Sequence, residues 1–151
     1  LTIEMAYLGD SRFTSAILRA IARGVNVTIV TAAHADLLGD LNLATVNRIV
    51  RKSRAPAHLD VVLLPTMVHT KAVVVDRRYC DFGSANFTPL SHGVYDEMNV
   101  FVDDPAFAAH VERDIQKRAK QGSRVGDRVR FSRFNWLVEW AIVAYQSRRA
   151  A

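Results

Sequence analysis

Cysteine is all but missing from this 151-residue chain: Cys80 stands alone, so no disulfide can close within it and its thiol content leaves the redox compartment open. Long apolar runs are scarce as well. The two longest, near Val61 and from Trp136, fall well short of the roughly 20 residues a membrane-spanning helix needs. No basic, apolar, small-residue leader opens the chain, and it holds no internal repeat or low-complexity tract. Hydrophobic residues nevertheless make up 50% of it, enough for a real core in one domain of a length that buries roughly 70% of its unfolded surface.

Acidic residues thin out toward the carboxyl end. The formal net charge is +5, and Arg113–Ala151 holds ten Lys/Arg against three Asp/Glu, whereas Val61–Glu112 holds three against seven. The basic character therefore sits in the tail, which suits an anionic membrane surface, nucleic acid, or a merely solvated face. Leu1 is not a methionine and an apolar strand pattern follows almost at once, so a piece cut from a longer protein is expected.

Periodicity predicts the elements. Ile3–Leu8 reads as a strand; Asp10 or Ser11 caps a helix with Phe13, Ile17, Leu18 and Ile21 at helical spacing and Gly24 as its stop. Val25, Val27 and Ile29 alternate as a second strand, which makes a parallel βαβ unit. His34 follows it, a loop histidine that can border a cleft at strand ends. Leu41–Lys52 is a helix with Arg48, Arg51, Lys52 and Arg54 on a solvated side, and Asp60–Leu64 and Val68–Val75 are strands. Arg77-Arg78 turns into Tyr79–Phe82; a short irregular or helical connection over Asn86–Tyr95 leads to a strand at Met98–Val102. Asp103-Asp104-Pro105 starts a helix with Phe107, Val111 and Ile115 as its inner stripe and His110 packing beside it. Gln121–Arg130 reads as a basic loop before a last helix, Phe134–Tyr145.

The organising stretch is Met67–Val102, whose His69, Lys71, Asp76, Gly83, Ser84, Asn86 and Glu97 form a polar set that no simple core needs. If Val68–Val75 is extended, His69 and Lys71 share one face. A neutral imidazole can attack phosphorus, and an adjacent lysine can hold a phosphate oxygen more strongly as water is excluded. Ser84 and Asn86, beyond Gly83, add neutral donors, and glycine there lets the backbone turn sharply near a phosphate. Glu97 can accept the other ring N–H of His69. Asp76 is placed to tie strand to turn. No His, Cys and carboxylate cluster that would hold zinc or magnesium accompanies the set.

His69-x-Lys71-x-x-x-x-Asp76, then Gly83-Ser84-x-Asn86, then Glu97, resembles the signature of the phospholipase D superfamily, over roughly Ile3–Ala119. The resemblance implies an α/β/α sandwich around a mixed β-sheet with no metal or organic cofactor. It implies that His69 forms a phosphohistidine, that Lys71, Ser84 and Asn86 bind the phosphate, that Glu97 orients the imidazole, and that Asp76 and Gly83 support the motif. It also sets Asp10 near the site, second to its capping role. A second histidine must serve the leaving alcohol, yet His34, His58, His92 and His110 each lack a lysine two residues on. The chain is thus expected to be a one-motif half-domain (1–121) with a basic, apolar helical extension (122–151), resembling the carboxyl-terminal half of a bacterial cardiolipin synthase or phospholipase D-like protein. Its partner is a second motif copy, from a missing amino-terminal half or a homodimer.

Phospholipid is the substrate this resemblance favours, by hydrolysis or phosphatidyl transfer. An endonuclease acting on DNA or RNA and a non-catalytic pairing half are the alternatives. In the last helix Phe134, Leu137, Val138, Ala141, Ile142 and Tyr145 line one face, with Trp136, Trp140 and Val143 off it. That helix is expected to pack against a missing half or to settle, with Arg128, Arg130, Arg133, Arg148 and Arg149, on an anionic membrane surface. A peripheral location at the cytoplasmic face of a membrane follows from the lipid reading.

Overall fold

Seven strands, five α-helices and one short 3-10 helix (Pro56–His58) make up a computed structural model that describes residues 1–149; Ala150 and Ala151, the end of the expected extension, lie outside the described residues. Strands are β1 (Thr2–Met5), β2 (Val27–Ala32), β3 (Leu59–Leu64), β4 (Lys71–Val75), β5 (Tyr79–Gly83), β6 (Asn99–Asp103) and β7 (Ser123–Arg124). Helices are α1 (Ser11–Ala22), α2 (Gly39–Lys52), α3 (Pro89–Gly93), α4 (Pro105–Ala119) and α5 (Arg133–Arg149). All seven strands form one sheet in the order β6-β5-β4-β1-β2-β3-β7. β1, β2 and β3 run parallel; β4, β5 and β6 form an antiparallel meander joined to β1, and β7 closes the far side antiparallel to β3.

Strand alternation sends apolar side chains to both faces, and helices cover each. Ile3, Met5, Ile29 and Val61 meet Ile17 and Ile21 of α1 and Val46 and Ile49 of α2. On the other face Val30, Val62, Ala72, Val74 and Cys80 meet Ala108 and Ile115 of α4. This is the expected α/β/α sandwich on a mixed sheet. α5 lies outside α2, where Trp136 and Val143 pack with Leu41 and Leu90.

The helix boundaries follow their local chemistry. Asp10 caps α1 by accepting from the Arg12 N–H (2.7 Å), and Gly24 ends it at φ 84°, a left-handed value that glycine adopts freely. Asp104 caps α4 through the N–H groups of Ala106 and Phe107 (2.7 and 2.9 Å), with Pro105 in the first turn. α2 has no cap of its own. Glu139 of α5 accepts from the Leu41 and Asp40 N–H groups (2.7 and 3.4 Å), putting an acid at the positive end of α2.

Several expectations need correction. β1 stops at Met5 rather than Leu8, because Leu8 instead bridges to Phe87. The supposed loop Gln121–Arg130 contains β7, admitted because Gly122 has no side chain to strike Val62 and Leu63, where a Cβ would approach to 2.5 and 2.7 Å. His110 is exposed and pairs with Asp114 one turn on (3.5 Å) instead of packing. Phe107 is likewise half-exposed, and the inner stripe of α4 is Ala108, Val111 and Ile115.

The α4 face of β1 is polar. Glu4 is 0% exposed and receives both Arg118 nitrogens (2.8 and 2.6 Å), while Thr2 donates to Glu112 (2.9 Å). Removing the arginine strands a buried carboxylate. Arg118→Ala is therefore expected to destabilise the fold by about 2–3 kcal/mol, the low end for a broken buried pair because water reaches Arg118, as read by urea denaturation. Arg118→Lys should recover only part, since lysine lacks the paired donors of the guanidinium.

Candidate active site

The sheet's change of direction gathers the motif. The carboxyl ends of the parallel strands β1, β2 and β3 reach one edge; β4, antiparallel to β1 with Lys71 opposite Met5, begins at that edge. β5 then ends there, and β6 starts there with Asn99 opposite Gly83. His69, Lys71, Gly83, Ser84, Asn86 and Glu97 thus come from chain segments that all meet at the same strand edge.

Lys71 is buried, 7% exposed, and its ammonium donates to the His69 carbonyl (2.9 Å) while lying 3.2 Å from both ring nitrogens. Burial pushes its pKa below the ordinary lysine value, and the charge of Glu97 partly opposes that. The two side chains are adjacent as expected, but the ladder begins at Lys71, not Val68. Thr70 still accepts from the Ala6 N–H (3.0 Å), which tethers the approach, and His69 stands exposed just outside the strand.

The donors beyond β5 are held by main-chain bonds. The Asn86 side-chain oxygen accepts from the Tyr7 N–H (3.3 Å), and its NH2 group makes no hydrogen bond among the described residues. Ser84 accepts from the Met98 N–H (3.0 Å). Gly83 is required for a reason other than a sharp turn: a Cβ there would sit 2.2 Å from the Met98 carbonyl oxygen, so any side chain would push β6 from β5.

Glu97 is half-buried, and its pKa is lowered chiefly by the Ser84 hydroxyl; burial, the next largest effect, opposes this, while the Ser91 hydroxyl and the charges of Lys71 and His92 add to the lowering. No hydrogen bond joins Glu97 to His69 among the described residues. Asp36 is held below the ordinary carboxylate value chiefly by the hydrogen bond it accepts from the Tyr7 hydroxyl, with the charge of nearby His69 the smallest of the causes. Tyr7 is pushed up to about 12 by burial and by that carboxylate. Neither residue had been predicted for the site. Both follow the carboxyl ends of parallel strands, the one signal that would have found them.

Asp10, His34 and His58 fall outside this group. Asp10 is engaged by the Arg12 guanidinium (2.6 Å), His34 is an exposed loop residue, and His58 pairs with Asn26 (2.7 Å) at the opposite edge. His92 borders the group: its ring stacks obliquely on Phe13 and lines a cleft with Glu97. No group of His, Cys, Asp and Glu among the described residues could hold a metal ion.

Asp76 lies at the far end of β4, roughly 16 Å of strand from Lys71. Asp76 and Arg77 both have φ 53°, and the Val75 carbonyl accepts from the Arg78 N–H (3.0 Å), the signs of a type I′ hairpin turn. Asp76→Asn, which tolerates this conformation, is expected to leave stability nearly unchanged. Asp76→Val should cost about 1–3 kcal/mol, as measured by thermal unfolding.

The sequence and the fold are similar to those of known proteins. Two proteins named phospholipase D, from Rickettsia bellii and Rickettsia conorii, are 26% and 28% identical over 76% and 74% of this chain. The chain spans about half their length, 55% and 54%. Among solved structures, the phospholipase D family member Nuc from Salmonella typhimurium superposes with a TM-score of 0.71 at 24% identity, covering 84% of this chain and 80% of its own. A phosphatidylserine synthase from Haemophilus influenzae superposes at 0.75 with 17% identity, covering 99% of this chain and 40% of its own. These likenesses show the fold. With residues 1–119 matched by the family described as "Cardiolipin synthase, PLD-like domain", the chain belongs to the phospholipase D superfamily.

Proposed function

We propose that the chain supplies one half of a phosphodiester-cleaving or phosphatidyl-transferring enzyme, with His69 as nucleophile. The observation that carries this reading is the buried Lys71 ammonium held against His69. A ring nitrogen of His69 attacks phosphorus, a P–N bond forms, and the P–O bond to the leaving alcohol breaks as a second histidine gives that oxygen a proton. Water or another alcohol then loses a proton to this second histidine, attacks phosphorus and frees His69. Lys71, Ser84 and Asn86 hold the non-bridging oxygens where charge accumulates. For Glu97 to orient the His69 ring, it must exchange a serine hydroxyl for the ring N–H.

The second histidine must come from another motif copy. We place residues 1–121 as the one-motif unit and 122–151 as its extension, paired with an amino-terminal half or a second copy. The names of the relatives support a phospholipid substrate. A nucleic-acid substrate takes its support from the net charge of +5 and the fold shared with Nuc.

In the assembly that turns over, His69→Ala is expected to abolish activity, and brief incubation with phosphorus-labelled substrate should leave label on His69 of the parent. Near-parental turnover by His69→Ala overturns the mechanism. Lys71→Ala should lower kcat by roughly 100- to 1000-fold, the usual effect of losing one such donor.

The rate should also respond to pH through Lys71. The charged ammonium is the working form, and burial lowers its pKa, so activity is expected to fall as pH rises through a value beneath 10.5. A pH–rate profile checks this: Lys71→Arg should lose that alkaline limb, because the guanidinium stays charged.

A further inference from the structure

Arg12, Arg77, Arg78, Arg118 and Arg124 each bond a carboxylate. Six other cations behave differently. Arg48, Arg51 and Lys52 on one side of α2 face Arg128, Arg130 and Arg133 across an open groove of about 820 Å³, and none of the six pairs with a carboxylate among the described residues. The groove is fixed in place. Asn47 exchanges two hydrogen bonds with the Val129 backbone (2.7 and 2.8 Å), and Asp40 accepts from the Ser132 N–H (2.6 Å). Six like charges repel one another, and an anionic surface would relieve that repulsion.

At the end of this groove begins α5, whose apolar character goes all round but is covered on one side only. Trp136 and Val143 face Leu41 and Leu90, while Phe134, Leu137, Val138, Trp140, Ile142 and Tyr145 are 43–74% exposed. Arg133 and Trp140 line a cleft with Arg48 and Phe131, so cations and apolar side chains are contiguous. Through Glu139 at the start of α2 and Leu90 of α3, α5 sits at the same end of the sheet as His69.

We propose that this groove and the exposed face of α5 together dock on an anionic phospholipid bilayer, headgroup phosphates entering the groove and the α5 side chains entering the acyl boundary. The inference rests on the phospholipid reading above. Nucleic acid would satisfy the arginines but give the apolar face nothing to bury in, and a second copy of this basic chain would bury the face but leave the cations unmatched. A bilayer with anionic headgroups matches both. No helix among the described residues is long and apolar enough to cross it.

The test is co-sedimentation of the full chain with vesicles of phosphatidylcholine, alone or mixed in equal parts with phosphatidylglycerol, together with tryptophan emission. Binding is expected only with phosphatidylglycerol, weakening with salt and shifting the emission to the blue, a shift lost in Trp140→Phe. The triple variant Arg48→Gln/Arg51→Gln/Arg130→Gln should bind roughly 100-fold more weakly, about fivefold for each cation, and Leu137→Ser/Ile142→Ser should also weaken binding. His69→Ala should bind as the parent does. Equal binding by the triple variant, equal binding to both vesicle types, duplex DNA bound in place of vesicles, or self-association lost in Leu137→Ser/Ile142→Ser without vesicle binding would each overturn the proposal. Turnover of phospholipid in detergent micelles without vesicle binding overturns the docking and leaves the substrate reading standing. Vesicle binding through this surface without phospholipid turnover does the reverse.

Discussion

The site depends on the seam where the sheet changes direction. β1 is bonded parallel to β2 on one side and antiparallel to β4 on the other. Parallel strands with helical crossovers bring their carboxyl ends, and the loops that follow, to one edge. The reversal at β4 brings to that edge a strand beginning, which is how Lys71 comes to lie opposite Met5 and His69 to stand just outside it. Were β4 parallel to β1, the same residues would lie at the opposite edge, away from Tyr7 and Asn86.

The seam also decides the electrostatics. Lys71 gives up most of its hydration where β4 meets β1, and the His69 carbonyl replaces part of it. A desolvated ammonium acts on a nearby anion in a lower dielectric than water, so its field is stronger and its readiness to lose the proton greater. The surrounding carboxylates are not free to collapse onto it. Asp36 is engaged by Tyr7, and Glu97 by two serine hydroxyls.

What the sequence made legible was local or periodic. The caps at Asp10 and Asp104 need only their own first turns, and the two-residue spacing of His69 and Lys71 and of Ser84 and Asn86 travels with the chain. Contacts between distant segments left little trace. Asn42, 0% exposed, donates to the Thr31 hydroxyl and accepts from the Leu8 N–H, yet in sequence it is a polar residue in an amphipathic helix. Glu139 caps a helix that starts about a hundred residues earlier. Gly83 read as a bend residue because its need, a neighbouring strand at contact distance, lies in β6. Arg48, Arg51 and Lys52 read as a solvated face because the facing arginines lie some eighty residues on.

The turn at Asp76 and Arg77 does a quieter job. β4 is fixed against β1, so the number of residues between Val75 and Tyr79 alone determines how far β5 is advanced along it. One residue more or fewer would exchange inward and outward positions on β5, presenting Asp81 to the core in place of Cys80, and would move Ser84 and Asn86 by roughly 3.3 Å relative to Lys71. The acid at the end of the motif is in this sense a spacer: from the far end of β4 it sets how far Ser84 and Asn86 stand from Lys71 without approaching any of them.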